Sequence, residues 1–144
     1  FKRLFMDFSI GDLSRRTGVK IPTIRYYEKE GLLEAPIRSE GNQRRYRSCD
    51  LERLGFIKHC RDLGLPMPAI RDLLDLSQHP DKPCEAANRI AEDQLKAVRQ
   101  RIAHLRKLEA ELKRIATSCE GDHTVTECNV LKAFGDHGLC LKEH

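Results

Sequence analysis

The chain of 144 residues has no apolar run approaching the roughly 18 residues that a membrane-spanning helix needs. It also lacks the short apolar core of a secretory signal. Both absences lead us to expect a cytoplasmic protein. Phe1 to Phe5 precede Met6 and resemble a leader remnant, so we expect Met6 to be the natural start.

Motifs for enzymatic chemistry are missing as well. The sequence contains no evident acid–base pair, no nucleophile motif and no glycine-rich phosphate loop. We therefore expect no enzymatic activity. No four cysteines follow one another at the short spacing of an iron–sulfur cluster. The six cysteines that are present, in a chain without a secretory signal, favour metal-binding or redox thiols over structural disulfides.

Positive charge is concentrated at the start of the chain. The net charge is only +4, but residues 1–47 carry 11 Lys/Arg against 6 Asp/Glu, whereas residues 48–144 carry 15 against 16. A basic excess confined to one region is typical of a surface that contacts phosphate groups.

That basic region has the pattern of two short helices. The first is predicted from Ile10 to Arg16, with Ser9 as N-cap and Gly18 at its end. The second is predicted from Pro22 to Glu30, because proline is favoured in a first helical turn. Two short helices joined by a glycine-containing turn predict a helix-turn-helix.

A basic hairpin follows, with Gly41-Asn42 as its turn and arms near residues 37–38 and 44–46. Arg25, early on the second helix, can pair with guanine or clamp a phosphate, and Tyr26 can stack or donate to a phosphate. Its neighbour Tyr27 is expected in the core. The predicted DNA contacts are Lys20, Thr23, Arg25, Tyr26, Arg38, Arg44, Arg45 and Tyr46.

Two further helices are predicted at residues 50–63 and 68–76, separated by Gly64-Leu65-Pro66. Cys60 falls on the apolar face of the first of them, which favours a buried and inert thiol. Cys49 has no evident role. His137, Cys140 and His144 fit a flexible tail better than an accessory metal site.

From Cys84 to Ser118 the sequence has neither glycine nor proline. Apolar residues recur there at gaps of three or four positions: Ala91, Leu95, Val98, Ile102, Leu105, Leu108, Leu112 and Ile115. This pattern predicts a helix of about 50 Å with a nearly heptad seam. Because a small domain cannot cover so long a seam, we expect self-association through this helix.

Cysteines bracket that helix: Cys84 precedes it, and Cys119 and Cys128 follow it with His123 between them. Thiolate and imidazole ligands suit zinc, cadmium, lead or mercury. Cys84 and Cys119 cannot share a metal within one chain, because the helix between them is about 50 Å long. They could do so between two chains if the helices paired antiparallel. An alternative is a redox switch in which Cys119 and Cys128 form a disulfide.

The run Thr23-Ile24-Arg25-Tyr26-Tyr27-Glu28, with Gly31-Leu32-Leu33 and Arg45-Tyr46, closely resembles the MerR family of bacterial transcription regulators. The resemblance implies a mainly α fold with three parts. These are a winged helix-turn-helix DNA-binding domain (6–79), a long antiparallel dimerisation coiled-coil helix (80–118) and a short C-terminal metal-binding loop with a tail (119–144). It implies a homodimer that takes metal ligands from both subunits. Such a dimer would distort promoter DNA for RNA polymerase and thereby activate efflux or detoxification genes.

The resemblance also narrows the choice of metal ion. A cysteine at the position of Cys84 marks the family's sensors of divalent soft metals, so the predicted ligands are Cys84, Cys119, His123 and Cys128. Zinc, cadmium or lead is favoured, although Ser118 stands where zinc sensors often carry a further cysteine. Mercury is the alternative, because mercury sensors resemble this chain in the spacing of their three cysteines. Only about 25 residues follow the helix, too few for a separate domain that binds organic ligands.

Overall fold

The computed structural model describes residues 8–38, 40–41, 44–122 and 124–136. The described chain is mainly α-helical and divides into two compact units, the first ending at Ala87 and the second beginning at Asn88. Its elements are α1 (Ile10–Thr17), α2 (Ile21–Lys29), β1 (Ile37–Arg38), β2 (Arg44–Arg45), α3 (Ser48–Asp62), α4 (Met67–Ser77), α5 (Glu85–Ala116), a 3-10 helix (Val125–Glu127) and α6 (Asn129–Gly135). Among the described helices, none has the length and apolarity needed to cross a bilayer.

Helix α1 begins and ends at the predicted caps. The Asp12 backbone N–H donates to Ser9 Oγ at 3.0 Å, and the Ser9 N–H donates to Asp12 Oδ2 at 2.9 Å. The Ser9 N–H is the main cause that holds the pKa of the Asp12 carboxyl below its ordinary value, and the Ser9 hydroxyl and Arg15 add to it. At the other end Gly18 adopts φ 76°, a left-handed conformation that favours glycine. The first predicted helix is thus confirmed, with one additional residue.

Helix α2 follows after a turn of residues 18–20. Pro22 lies in its first turn, as predicted, and Gly31 at φ 75° follows its end. Helix α1 packs against both α2 and α3. These contacts hold together α1 and α2, the two short helices that the sequence predicts.

The two strands form an antiparallel pair in which Ile37 is opposite Arg45 and Arg38 is opposite Arg44. A further bridge joins Phe8 to Tyr46, whose backbones exchange two hydrogen bonds of 2.8 Å. Asn42, half of the predicted turn, lies outside the described residues. The hairpin arms occupy the predicted positions.

Helices α3 and α4 complete the core of the N-terminal unit, the unit that ends at Ala87. Helix α3 begins at Ser48, two residues before the predicted start, because the carboxylate of Asp50 accepts the Arg47 N–H at 2.8 Å and so caps it. Cys60 is buried as predicted, and burial raises the pKa of its thiol. Among the residues that the structure describes, the apolar side chains with no exposed surface are Leu13, Ile24, Leu54, Ile57 and Ile70.

Helix α5 is continuous over 32 residues, starting one residue after Cys84 and ending two residues before Ser118. Within the C-terminal unit, which begins at Asn88, its last turns and α6 supply the buried side chains Glu111, Ile115 and Ala133. Arg114 donates to the Glu111 carboxylate at 3.2 Å. Most of the predicted apolar seam is exposed, with Leu95 at 48% and Leu105 at 56%.

Candidate nucleic-acid interface and metal centre

Helix α2 divides its side chains between the core and the surface. Ile24 and Tyr27 face inward, the latter as predicted. Arg25 is exposed, as is half of the Tyr26 side chain (50%). The two tyrosine rings lie 6.0 Å apart, so the buried ring supports the exposed one. Lys20, at the N-cap of α2, is exposed and Thr23 is half-buried.

The hairpin presents further cationic groups in the same unit. Arg38 on β1 is exposed and Arg45 on β2 is half-buried. Arg44 also occupies β2. The start of α2 and the hairpin therefore both offer the residue types that hold phosphate groups.

Tyr46 requires a correction. It was predicted as a DNA contact, but only 1% of its side chain is exposed, and its hydroxyl donates to the Glu28 carboxylate on α2. A ring buried in this way packs the hairpin against the helix and cannot reach a nucleic acid. The spacing of aromatic and basic residues gave no sign of this, because the burial depends on a contact between residues far apart in sequence.

The loop between α5 and α6 brings two thiols together. Cys119 and Cys128 are both half-buried, and the Cys119 side chain is close enough to the Cys128 thiol to lower its pKa. The Gly121 backbone N–H donates to Cys119 Sγ at 3.4 Å, and Gly121 itself has φ 84°. The structure thus joins two of the four predicted metal ligands.

Cys128 lies at the N-terminal end of α6, where backbone N–H groups have few partners within the helix. The Leu131 backbone N–H lowers the pKa of the Cys128 thiol, with smaller contributions from Val130, the Cys119 side chain and the charge of Lys132. A lowered pKa favours the thiolate, which is the form that binds metals. The chemistry of this pair fits a soft or borderline metal ion.

The remaining predicted ligands are not in this cluster. His123 lies outside the described residues, and the exposed Cys84 belongs to the N-terminal unit. Cys84 is one of the residues that line a cavity of about 310 Å³, together with apolar side chains such as Phe56, Leu73 and Pro83. No three His, Cys, Asp or Glu side chains form a metal-binding group among the residues that the structure describes.

Sequence reasoning did not identify Asn129. Its side-chain amide donates to the Ser118 carbonyl at 3.1 Å, which links the two ends of the cysteine loop. The available signal was an asparagine placed directly after a cysteine that the sequence predicts as a metal ligand.

Two family models match the sequence. The model for MerR helix-turn-helix family regulatory proteins matches residues 8–77, and the model described as MerR, DNA binding matches residues 51–115. Together the two matches run from residue 8, just before α1, to the last turn of α5.

Characterised relatives and a solved structure agree with these matches. The transcriptional regulator ZntR of Escherichia coli is 38% identical over 129 residues, covering 88% of this chain and 92% of that protein. A mercuric resistance operon regulatory protein of Shigella flexneri is 33% identical and covers 92% of each chain. A lead(II)-bound transcription regulator of Ralstonia metallidurans is 38% identical, with a TM-score of 0.75, and covers 88% of this chain and 98% of that one. The chain therefore belongs to the MerR family of helix-turn-helix regulatory proteins, which are transcription regulators and not enzymes.

Proposed function

We propose that this protein is a cytoplasmic, metal-responsive regulator that binds promoter DNA as a homodimer. The observation that carries the proposal is the pair of adjacent thiols, Cys119 and Cys128, placed directly after a long helix in a MerR-family chain. Its effector is a divalent soft metal: zinc, cadmium or lead, with mercury as the alternative. The relatives support this choice, since they include a regulator from a mercuric resistance operon and a lead-bound regulator.

The exposed seam of α5 supports the homodimer. Leu95, Ile102, Leu105 and Leu112 are all exposed along one stripe of a helix that spans about 48 Å. Large apolar patches on a soluble protein mark association surfaces. A second α5 has the same length and the same stripe, so a second copy of this chain is the natural partner.

The metal site that we propose is shared between two chains. Cys119 and Cys128 of one chain would bind together with Cys84 of the other, and His123 or a water molecule would complete the shell for zinc. Two thiols alone leave the coordination of zinc incomplete, since zinc prefers four ligands. Pairing the α5 helices in opposite directions would supply the third thiol from the partner.

DNA would be bound through α2 and the hairpin of a DNA-binding domain at residues 6–79, with residues 80–118 for dimerisation and 119–144 for the metal. The proposed contacts are Lys20, Thr23, Arg25, Tyr26, Arg38, Arg44 and Arg45. Metal binding would shift the dimer between two arrangements of its DNA-binding domains. The resulting distortion of the promoter would align its elements for RNA polymerase at metal efflux or detoxification genes.

A metal titration of the reduced protein tests the proposal. Zinc, cadmium, lead and mercury are each titrated with a competing chelator, and affinity and stoichiometry are measured in parallel. We expect tight binding of at least one of them at about one ion per chain. A Cys119→Ser/Cys128→Ser variant should lose that binding, whereas Cys49→Ser should retain it. Failure of all four metals to bind would contradict the proposed function.

A mixed dimer tests the shared site. One chain carries Cys84→Ser and the other carries Cys119→Ser with Cys128→Ser, so each homodimer lacks a thiolate at both of its sites. The heterodimer should regain about one tight site, because the intact Cys84 of the second chain meets the intact loop of the first. A heterodimer that binds no better than its parents would show that the ligands come from one chain.

The adjacency of the two thiols also favours the alternative, a redox-responsive regulator in which Cys119 and Cys128 form a disulfide. In vitro transcription separates the two functions. Activation by metal under reducing conditions supports metal sensing, whereas activation by an oxidant without metal supports redox sensing.

A further inference from the structure

The loop that carries the two thiols is closed by a hydrogen bond outside the thiols themselves. Asn129 Nδ2 donates to the Ser118 carbonyl oxygen at 3.1 Å. Ser118 immediately precedes Cys119, and Asn129 immediately follows Cys128. The bond therefore joins the two residues that flank the cysteines.

The acceptor is held in place by the end of α5. Both the N–H and the hydroxyl of Ser118 donate to the Ile115 carbonyl, at 3.1 Å and 2.6 Å. The side chain of Ile115 is buried. The Ser118 carbonyl is thus attached to an ordered part of the C-terminal unit.

The donor is held by α6. The Lys132 N–H donates to the Cys128 carbonyl at 3.2 Å, and Ala133 on the same helix is buried. Asn129 therefore lies at the start of a helix that carries a buried residue, and its bond to Ser118 connects that helix to the end of α5.

We propose that Asn129 is a positioning residue that holds the Cys119–Cys128 loop closed and so raises the effective concentration of one thiol at the other. The role in metal affinity rests on the proposed metal-sensing function, whereas the role in loop closure does not. Closing a flexible loop costs conformational entropy. A bond that closes the loop beforehand reduces that cost when both thiols engage one metal ion.

Two variants distinguish the Asn129–Ser118 hydrogen bond from other roles of Asn129. Asn129→Ala removes the side-chain amide. Asn129→Asp keeps the shape and favours the start of a helix, but it replaces the donor with an acceptor that cannot bond the carbonyl. Asn88→Ala is the matched control, because Asn88 makes an exposed side-chain bond to Glu92 at 2.8 Å on α5.

The first measurement is metal affinity in the reduced full-length protein, by competition with a chelator, using the metal that the wild type binds most tightly. Asn129→Ala and Asn129→Asp should each bind about 3- to 10-fold more weakly, the range expected for loss of one hydrogen bond. Asn88→Ala should match the wild type.

The second measurement needs no metal. The metal-free protein is equilibrated with reduced and oxidised glutathione, and the Cys119–Cys128 disulfide is quantified by peptide mass mapping. Each disulfide formed reduces one glutathione disulfide to two glutathione thiols, so the equilibrium constant reports the effective concentration of the two thiols. Both Asn129 variants should lower that constant by a factor similar to the loss in metal affinity.

Loss in both variants, with Asn88→Ala unchanged, supports the proposal. Wild-type values in both Asn129 variants would overturn it. A loss in Asn129→Ala alone, with Asn129→Asp like the wild type, would also overturn it, because the residue would then act through the start of α6. If no metal binds the wild type but the disulfide constant still falls in both variants, loop closure by Asn129 stands and the metal-sensing function fails.

Discussion

The two units of this chain differ in how far their apolar side chains are buried. In the N-terminal unit four helices enclose a core, and residues such as Leu13, Ile24 and Leu54 have no exposed surface. In the C-terminal unit most of the α5 seam is exposed, and the buried side chains that the structure describes there come from the end of α5 and from α6. The first unit has the core of an independent folding domain, whereas the second has a surface suited to a partner.

The largest effect should come from the core of the N-terminal unit. Leu54→Ala should lower the free energy of unfolding by about 2–5 kcal/mol, because a fully buried leucine leaves a cavity when truncated. Thermal or urea unfolding measures this. Leu63→Ala, at an exposed position just after α3, should cost less than about 1 kcal/mol. Equal losses at the two positions would contradict the assigned core.

A charge introduced into the seam should disrupt the proposed dimer and leave the N-terminal unit folded. Leu105→Asp buries an unpaired carboxylate if two α5 helices pair, which should weaken dimerisation by several kcal/mol, on the order of 100-fold or more. Analytical ultracentrifugation measures the dimer, and circular dichroism follows the fold. The adjacent Arg106→Asp, which lies off the seam, should leave the dimer intact. A Leu105→Asp dimer of unchanged affinity would mean that the seam is not the interface.

Removal of an exposed side chain from α2 should weaken DNA binding and leave metal binding unchanged. Arg25→Ala should weaken promoter binding by about 1–3 kcal/mol, because Arg25 can contact a base edge or a phosphate. Fluorescence anisotropy at physiological salt measures the affinity, and metal titration should match the wild type. Arg71→Ala on α4, which removes an exposed pair with Glu30 at 3.4 Å, is the control. A promoter affinity equal to that of the control would exclude Arg25 from the interface.

The smallest changes in free energy should come from replacing one glycine in each unit. A Cβ added at Gly121 or at Gly55 meets no atom within 4 Å, but only Gly121 has a positive φ, of 84°. Gly121→Ala should strain the cysteine loop by about 1–2 kcal/mol and weaken metal binding. Gly55→Ala, inside α3, should instead stabilise the N-terminal unit by about 0.5–1 kcal/mol. Tighter metal binding by Gly121→Ala would argue against the observed loop.

Local signals predicted much of this fold. Ser9, Gly18 and Pro22 mark helix ends through hydrogen bonds and dihedral angles that involve near neighbours, and the structure places all three at those ends. The absence of glycine and proline between Cys84 and Ser118 likewise predicted α5 to within two residues at either end.

Contacts between distant residues account for what was not predicted. Tyr46 looked like part of a basic surface, yet its ring is buried and its hydroxyl bonds to Glu28. The link between Asn129 and Ser118 closes a loop whose ends carry no periodic pattern. For the proposed metal site, the sequence indicated the residue types, and the structure added that Cys119 and Cys128 lie close together.

The buried thiol of Cys60 has a practical consequence for studies of this protein. Because burial raises its pKa and shields it, a thiol-alkylating reagent should modify Cys60 only when the N-terminal unit opens, while the exposed Cys84 reacts at once. Mass spectrometry of the alkylated peptides would then time the opening events of the core. The alkylation rate of Cys60 thus reports how often the N-terminal unit opens, and no label has to be introduced.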